Sequence, residues 1–565
     1  MIRLKLVLSC CLALMLVSLT FCQNKANIQP QQDASEKLFI NGKIYTVTDA
    51  QPWAEAVLVK DGIITFVGTT EQAKAQASAS AQVIDLQGQM MMPGIHDVHM
   101  HPIEASTDNF KFNLDISESN PEKYISVVQR ANQDNPGNDW LLGAGHSLET
   151  ILAATRAPKA ILDEVSTSRP IAVMEATSHS FWCNSKALEL LGITTLTPDP
   201  QGGIIVREND GTPSGLLIDN AGELLAEMAL KATTTKEEND YQGLITYALP
   251  ELAKNGITSA CEARTFWKRN YHKVWQRIEA EGKLTARINL ALWAYPAEDD
   301  ATQIQTIKSL YSNNNTKLLR INQVKLYMDG VVHNTTAALH TNYLLDLYGK
   351  GISKGLNYFT ETRLANYIAQ LESTGFDFFI HAIGNRGTTE ALNAIEKSGT
   401  TNGRHRLTHL EIVSSSDFAR FKALNVTADC QVAGDFTNPS HWTENQTFIG
   451  AALANNLVPL KNFIDAKARL TLSSDWDVST LNPFMGMQHA VTRTPQEISL
   501  AEAVKAYTIN AAYTMRQENK VGTIEVGKEA DLIVLDRNIF SVATNQIGQT
   551  QVMSTYLQGK LVFQR

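Results

Sequence analysis

Cysteine is scarce in this chain, and its distribution excludes a disulfide-stapled fold. Three of the six cysteines lie within the first 22 residues, and Cys183, Cys261 and Cys430 are scattered over the remainder. A disulfide framework or a zinc knuckle needs closely spaced cysteines. The three cysteines of the body are therefore expected to be small buried hydrophobic residues.

Positive charge is also in short supply, which excludes nucleic acid as a partner. The chain has 49 Lys and Arg against 58 Asp and Glu, a formal net charge of −9, and so offers no basic surface for phosphates. With 44% hydrophobic and 19% charged residues it has the composition of a soluble globular protein. Its 565 residues are enough for a barrel with an accessory unit.

A long apolar run is missing as well. The run from Leu6 to about Leu19 is shorter than the roughly 20 residues of a membrane-spanning helix. It follows Arg3 and Lys5, which is typical of a secretory signal peptide over residues 1–22, with a polar linker over 23–35. Cys22 follows "SLTF", so the segment also resembles a bacterial lipoprotein signal. Lipidation of Cys22 and simple cleavage both remain open, and both predict an exported protein, periplasmic or anchored to the membrane.

The first and last segments of the chain after the predicted linker have similar sequence patterns. Segments such as "KLFINGKIYTVTD" near the start and "GTIEVGKEADLIVLD" near the end read as short strands with Gly and Asp turns. We predict that residues 36–94 and 516–565 pair into one small β-sandwich.

Between these ends, β-rich apolar runs alternate with helical patterns, which predicts a (β/α)₈ TIM barrel over 95–515. Residues from about 105 to 250 are too many for one strand and helix, so we expect an insertion there. The eight strand-like units are "RPIAVMEA", "GITSACEA", "ARINLALWAY", "NQVKLYMDG", "FDFFIHAIGN", "HRLTHLEIV", "NVTADCQV" and "ARLTLSSDWD".

Two histidines in "PGIHDVHMHP" follow a predicted strand at a spacing that suits a metal. In an extended chain His99 and His101 project to the same side, so both imidazoles can reach one ion. His96 lies three residues before His99 and points elsewhere. Alone, the pair is also compatible with ordinary polar loop residues.

Other predicted strands end in residues of the same kind. His381, His409 and Asp475 each lie in or just after an apolar run. A buried imidazole or carboxylate is costly unless it is paired or bound to metal. Because the carboxyl ends of barrel strands meet at one mouth, we expect these side chains to converge with His99 and His101.

Lys325, in "INQVKLYMDG", stands where a further ligand is expected. An ammonium has no lone pair, and a divalent ion repels it. Reaction with carbon dioxide would convert the lysine into a carbamate that bridges two metals. The alternative is an ion pair with Asp329 or another acid.

The ordered set "PGIHDVHMH", "VKLYMDG", "HAIGNR", "HRLTHLEIV", "SSDWDV", "AYTINAA" and "VGTIEVGKEADLIVLD" resembles the amidohydrolase superfamily. Within it the chain is similar to the family 3 branch that contains N-substituted formamide deformylases. The resemblance covers nearly the whole chain after residue 36. It implies a TIM barrel beside a β-sandwich and a centre of two divalent metals, usually zinc.

The resemblance also implies how the ligands are shared. His99, His101 and Asp475 would hold one metal, His381 and His409 the other, and carboxylated Lys325 would bridge them. Imidazole and carboxylate donors with an open position form a catalytic rather than a structural zinc site. The chain departs from its relatives at Asn385, Thr408 and Asp477, where Asp, an acid and Pro are common, and these changes affect the surroundings of the metals.

Other residues are candidates for the substrate pocket or for support of the ligands. His179, in the insertion, resembles a family position near the substrate, and Trp476 is expected to line the mouth; both have the alternative of ordinary surface or core residues. His146 is a weaker candidate. The possible acceptors for the ligand histidines are Asp97, Asp329, Asn385 and Glu411, and Thr508 and Asn510 are expected to brace the barrel end.

Together these features predict an exported metal-dependent hydrolase of a small-molecule amide. A metal-bound hydroxide would attack a C–N bond other than a peptide bond, in an N-acyl, N-formyl or cyclic amide. Asp475 would carry the proton to the leaving nitrogen. Hydrolysis of an ester or phosphoester at the same site is one alternative, and a non-catalytic binding protein that kept the fold is another.

Overall fold

A computed structural model describes residues 35–137, 139–434 and 438–565. The predicted signal peptide over 1–22 lies outside these residues, as does the predicted linker over 23–35 apart from its last residue. Among the helices of the described ranges, none has the length and apolarity needed to cross a bilayer.

Eight parallel strands form the central sheet. The end of its first strand meets the residues that follow its last strand: the Asp475 N–H donates to the His99 carbonyl at 2.8 Å, and Met100 pairs with Trp476. The strands are buried almost throughout, as parallel strands covered on both faces are. In sheet order they are Ile95–Met100, Ile257–Thr265, Arg287–Trp293, Leu319–Tyr327, Asp377–Ala382, Arg406–His409, Thr427–Gln431 and Arg469–Ser473. The predicted TIM barrel is confirmed.

Helices follow the barrel strands in sequence, and their apolar stripes face the sheet. In the helix Glu361–Glu372, for example, Leu364, Ile368 and Leu371 are buried at helical spacing. The helices associated with the barrel are Thr234–Gly243, Leu249–Lys254, Tyr271–Ala280, Asp300–Leu310, Glu361–Glu372, Asn385–Ser398, Phe418–Ala423, Trp442–Ile449, Ala451–Ala454, Leu460–Asp465, Pro483–Thr492, Leu500–Ala506 and Ile509–Thr514.

Both ends of the described chain form a sandwich outside the barrel, which confirms that part of the predicted fold. A four-stranded sheet comes from the N-terminal segment, and a six-stranded sheet mixes the two ends. Phe39 and Val57 of the first sheet share a core with Leu532 and Tyr556 of the second. The first sheet contains Ile63–Gly68, Ala56–Lys60, Glu36–Ile40 and Gln82–Asp85, with the helix Thr70–Gln76 beside it; the second contains Lys560–Gln564, Val552–Leu557, Leu532–Leu535, Met90–Pro93, Lys43–Tyr45 and Trp53–Ala54.

The insertion between the first two barrel strands carries a mixed six-stranded sheet of its own. The prediction was wrong in counting "RPIAVMEA" among the barrel units, because Ile171–Glu175 pairs within this sheet and Ile95–Met100 is the first barrel strand. In sheet order the strands are Gly203–Arg207, Pro213–Asp219, Ser180–Cys183, Ile171–Glu175, Leu141–His146 and Phe112–Asn113, and the helices are Pro102–Ser106, Tyr124–Asp134, Leu148–Leu152, Pro158–Asp163, Ser185–Leu190 and Asn220–Ala229.

The three cysteines of the body, Cys183, Cys261 and Cys430, are buried and carry free thiols. Cys261 and Cys430 lie on barrel strands, and Cys183 lies on a strand of the insertion. Burial raises the pKa of Cys261 to about 11, so this thiol stays protonated and unreactive at neutral pH.

Candidate metal centre

The predicted ligands are brought together at the C-terminal mouth of the barrel. His99, Lys325 and His381 lie near the ends of their strands, His409 is the last residue of its strand, and His101 and Asp475 follow theirs within two residues. Because the strands are parallel and closed, their carboxyl ends face one cavity.

Three of these side chains form the core of the group. A ring nitrogen of His99, a ring nitrogen of His409 and a carboxylate oxygen of Asp475 all lie within 4.8 Å of one another. Asp475 Oδ1 is 3.2 Å from His99 Nε2 and 3.0 Å from His101 Nε2. The centroids of the His409 and His381 rings lie 4.4 Å apart. This donor set of nitrogen and carboxylate oxygen suits a catalytic zinc.

The orientation of His99 is fixed by a chain of polar groups behind it. The Thr408 hydroxyl donates its single proton to Asp429 at 2.8 Å. At the 2.9 Å contact between His99 Nδ1 and that hydroxyl, the imidazole must therefore be the donor. This tautomer leaves the lone pair of Nε2 facing Asp475, as a metal ligand requires.

His381 and His101 adjoin the same group of side chains. His381 Nε2–H donates to the Gly330 carbonyl at 3.2 Å, and its buried Nδ1 has no hydrogen-bond partner, so this nitrogen is available to a cation. His101 Nδ1 lies 3.3 Å from a Glu104 carboxylate oxygen, and its Nε2 lies 3.0 Å from Asp475 Oδ1. Both nitrogens of His101 therefore face carboxylates, and His101 shares the Asp475 carboxylate with His99.

Lys325 is fully buried and has no carboxylate within ion-pair distance among the described residues. Its Nζ lies 3.4 Å from His99 Nε2 and 3.8 Å from the centroid of the Phe379 ring. The carboxylate of Asp329 instead accepts three backbone N–H groups, including those of Ile383 and Gly384. Burial, reinforced by nearby arginines, lowers the pKa of Lys325 well below its usual value.

Asp475 is held as an anion in a strained backbone. Burial alone would raise the pKa of Asp475, but the interaction with His99 and the hydrogen bond with His101 hold it well below its usual range. The backbone has a φ of 55° at Asp475 and 74° at His409. Non-glycine residues in this left-handed region are uncommon and are concentrated at functional sites.

The insertion brings His179 to the same place. Its ring stacks on Tyr327 at 5.3 Å and 16°, and its centroid is 5.3 Å from that of His381. His179 Nδ1–H donates to Asp219 at 2.8 Å, and the Tyr358 hydroxyl donates to the same oxygen at 2.9 Å. Nε2 of His179 is therefore the nitrogen directed into the cavity.

A cavity of about 480 Å³ connects these residues, within the range of small-molecule sites. The residues around it include the candidate ligands His99, His101, His381, His409 and Asp475, together with His146 and His179 of the insertion. Trp476 is not among the described residues around it: its indole packs 5.9 Å from the Tyr247 ring.

Of the predicted supporting acceptors, Asp329 lies 3.9 Å from His381 Nε2, whereas Asp97 and Asn385 contact backbone. Asp97 accepts the N–H groups of His99 and Ser474, each at 3.2 Å, and Asn385 accepts the N–H of His340 at 2.9 Å. Asn510 donates to the Leu470 carbonyl of the last barrel strand, which agrees with a bracing role.

Sequence reasoning missed Asp219 and Asp429. Asp429 lies inside the apolar run "NVTADCQV" and is fully buried, where it accepts hydrogen bonds from Thr408, Thr471 and Ser473. An acid inside a barrel strand is the same signal that identified His381 and His409. Asp219 gives no such signal, because only the fold of the insertion brings it to His179.

A barrel whose mouth gathers buried imidazoles and a carboxylate around one cavity defines a metal-dependent hydrolase. The family comparison is specific: residues 82–563 match the model described as "Amidohydrolase family", and the chain belongs to this family. The predicted family is thereby confirmed.

Similar proteins support the same placement. The chain is 27% identical over 544 residues to the amidohydrolase YtcJ of Bacillus subtilis, covering 93% of this chain and 98% of that protein. It is 26% identical over 556 residues to N-substituted formamide deformylase of Arthrobacter pascens, covering 94% and 98%. An uncharacterized metal-dependent hydrolase of Pyrococcus horikoshii has the same fold, with a TM-score of 0.71 and 23% identity over 90% of this chain and 99% of that one.

Proposed function

We propose that this member of the amidohydrolase family hydrolyses a C–N bond other than a peptide bond, in an N-acyl, N-formyl or cyclic amide. The observation that carries the proposal is the convergence of the His99, His409 and Asp475 donor atoms within 4.8 Å at the barrel mouth. The N-substituted formamide deformylase among the similar proteins favours an amide over an ester.

The proposed ligands are His99, His101 and Asp475 for one divalent ion and His381 and His409 for a second, with carboxylated Lys325 between them. The lowered pKa of Lys325 favours its neutral amine, which is the form that reacts with carbon dioxide. When bound, the ions, for which zinc suits the donor set, supply an activated water and polarise the substrate carbonyl.

Asp475 is proposed to move the proton. Amide hydrolysis needs a group that takes a proton from the attacking water and returns it to the departing nitrogen, because an amine anion is a poor leaving group. The Asp475 carboxylate lines the cavity and is ionised. It lies next to His99 and His101, the proposed ligands of the ion that would hold the water. Its carboxylate can therefore accept the proton at one oxygen and deliver it across the cavity.

His179 is proposed to contact the substrate. Asp219 and the Tyr327 ring fix the plane of the imidazole, and the remaining nitrogen is directed into the cavity beside His381. A positioned imidazole at this point can hold the carbonyl oxygen or the tetrahedral oxyanion of the substrate. The proposed site thus combines His179 of the insertion with ligands from the barrel strands.

The test is a substrate panel with metal-loaded protein: N-formyl amines, N-acetyl amines, cyclic amides, carboxylic esters and phosphate esters. The expected result is hydrolysis of at least one amide class, loss of that activity after exhaustive chelation, and its return with zinc. Preference for an ester or phosphate ester would contradict the assignment of the bond. Full amide hydrolysis after verified removal of metal would contradict the assignment of the centre.

A further inference from the structure

The cavity is also lined by several carboxylates that are not among the proposed metal ligands. Glu149, Glu175, Glu411 and Glu444 all line it. They come from different parts of the fold: a helix and a strand of the insertion, the segment after the sixth barrel strand, and the helix Trp442–Ile449. These four glutamates are named the acidic wall.

Few fixed positive charges lie among the described residues around the cavity. Among the described residues around the cavity, Arg264 alone has a fixed positive charge. Its guanidinium is engaged elsewhere, with Nη2 at 3.1 Å and 3.3 Å from the two oxygens of Glu104 and Nη1 at 3.5 Å from Glu223. The side-chain carboxylate of Glu411 has no hydrogen-bond or ion-pair partner in the described part of the chain, although its backbone carbonyl accepts the N–H of Val458. A carboxylate in such a place is costly unless a cation or a donor reaches it.

An independent feature points to a ligand that donates hydrogen bonds. Asn334 is fully buried and lines the cavity. Its Nδ2 donates to Glu175 Oε2 at 3.1 Å, which fixes the amide so that Oδ1 is an acceptor without a partner. Glu175 receives all three of its hydrogen bonds at Oε2, from Asn334, Thr177 and Ser180, and Oε1 accepts none of them.

Glu175 also lies near His179, the residue that adjoins His381 and the candidate metal ligands. A substrate whose carbonyl occupies the metal centre therefore extends past His179 toward the acidic wall. A cavity of about 480 Å³ has room for a small amide with a short side chain. The group at the far end of that chain meets carboxylates and an orphaned carbonyl oxygen.

We infer that the substrate of this site is an amide with a positively charged group remote from the scissile bond, a primary ammonium or a guanidinium. This inference rests on the proposed amide hydrolysis and specifies its substrate class. An ammonium offers three donors and a guanidinium five, which match the free oxygens of Glu175, Glu411 and Asn334.

The experiment compares amides of matched length. N-acetyl-1,4-diaminobutane and N-pentylacetamide differ only in that an ammonium replaces a terminal methyl group, and N-acetyl-4-guanidinobutylamine provides the guanidinium arm. With the zinc-loaded protein, kcat/KM is expected to be at least tenfold higher for the charged amides; the formyl series repeats the comparison. The better of the two charged arms identifies the cation.

Binding is measured separately from turnover by calorimetry with the Asp475→Asn protein, which leaves the amides intact. The charged amide is expected to bind at least tenfold more tightly than the neutral one. Glu411→Gln and Glu149→Gln are each expected to reduce the charged-to-neutral ratio at least threefold. Glu71→Gln, an exposed residue of the helix Thr70–Gln76, is the matched control and leaves the ratio unchanged.

The outcomes separate the two proposals. Hydrolysis of neutral and charged amides at similar rates would overturn the inference and leave the amidohydrolase activity intact. Failure of every amide, together with hydrolysis of esters or phosphate esters, would overturn the proposed function. In that case equal binding of the two amides to Asp475→Asn would overturn the inference as well, and tighter binding of the charged amide would support it.

Discussion

Thr408 connects the buried ring of His99 to a carboxylate. Its proton goes to Asp429, so its oxygen accepts the proton of His99 Nδ1. The Asp429 carboxylate thus acts through the Thr408 hydroxyl to fix the tautomer of His99. This tautomer leaves His99 Nε2 unprotonated, which is the form that the proposed metal ligand requires.

Thr408→Val tests this chain of contacts. Valine has nearly the same shape but cannot accept the His99 proton, so zinc affinity is expected to fall about 10–100-fold. A competition titration against a chelating dye measures it. Thr427→Val, on the next barrel strand and also fully buried, is the control and keeps its affinity; an unchanged affinity in Thr408→Val would contradict the role of the network.

Asp475→Asn removes the proposed proton carrier and one ligand oxygen. We expect kcat for the best amide to fall by about 10²–10⁴-fold, the range of general acid–base catalysis. Steady-state kinetics measure the loss, with thermal melting to show that the variant folds. A loss below about fivefold would mean that another group moves the proton.

Lys325→Ala removes the group that is proposed to become a carbamate. The second metal is expected to be lost or weakened, because its bridging anion is gone, and activity should fall at least tenfold. A short carboxylate such as propionate can enter the space and restore part of both. The readouts are the metal content by elemental analysis and the activity with and without propionate. Two bound ions and full activity in the absence of propionate would contradict the bridging role of Lys325.

Single residues were predictable where a strand carries a side chain that apolar surroundings do not tolerate. His381, His409 and Asp475 were found in this way, and the structure brings them together. Trp476, expected at the mouth, packs on the Tyr247 ring, and the described residues around the cavity do not include it. Asp219 was not predictable, because its partner His179 is forty residues away in a sheet whose pairing the sequence does not display.

For the elements, the position of a strand or helix in the sequence was easier to predict than the neighbouring strands with which it pairs. "RPIAVMEA" has the length and composition of a barrel strand, but Ile171–Glu175 pairs with an antiparallel neighbour, Ser180–Cys183, in the insertion. The segment "PGIHDVHMH" was noted for its histidines, yet it supplies the first barrel strand. Local composition sets the conformation of a segment, and only long-range hydrogen bonding decides which sheet receives it.

One buried ion pair joins a barrel strand to the C-terminal part of the sandwich. Arg287, at the start of the strand Arg287–Trp293, donates through Nε to Asp531 at 2.7 Å, and both side chains are nearly inaccessible. Asp531 directly precedes the strand Leu532–Leu535. The pair therefore fixes the position of that strand against the barrel.

Arg287→Ala would leave Asp531 buried without its cation. The free energy of unfolding is expected to fall by about 3–5 kcal/mol, the cost of breaking a buried pair, measured by chemical denaturation. Lys461→Ala removes an exposed partner of Asp465 and should cost less than about 1 kcal/mol. Equal losses in the two variants would show that the Arg287 contact does not hold the domains together.

At the scale of the whole molecule, we propose that the protein is exported and attached to a bacterial membrane through lipidated Cys22. Cys22→Ser is expected to abolish incorporation of a labelled fatty acid and to move the protein from the membrane to the soluble fraction. Metabolic labelling and fractionation of cells that produce the full chain give the readouts. A wild-type protein that is exported without label would instead identify simple cleavage.

The strand Met90–Pro93 lies between Lys43–Tyr45 and Leu532–Leu535, so a ribosome makes one of its neighbours more than 400 residues after the strand itself. During synthesis this strand has an open edge while the entire barrel emerges. A chain interrupted before Leu532 would keep that edge permanently and invite pairing with other copies. Synthesis of Leu532–Leu535 is thus required to cover this edge, and proteolytic loss of that strand would damage the protein more than a nick in a surface loop.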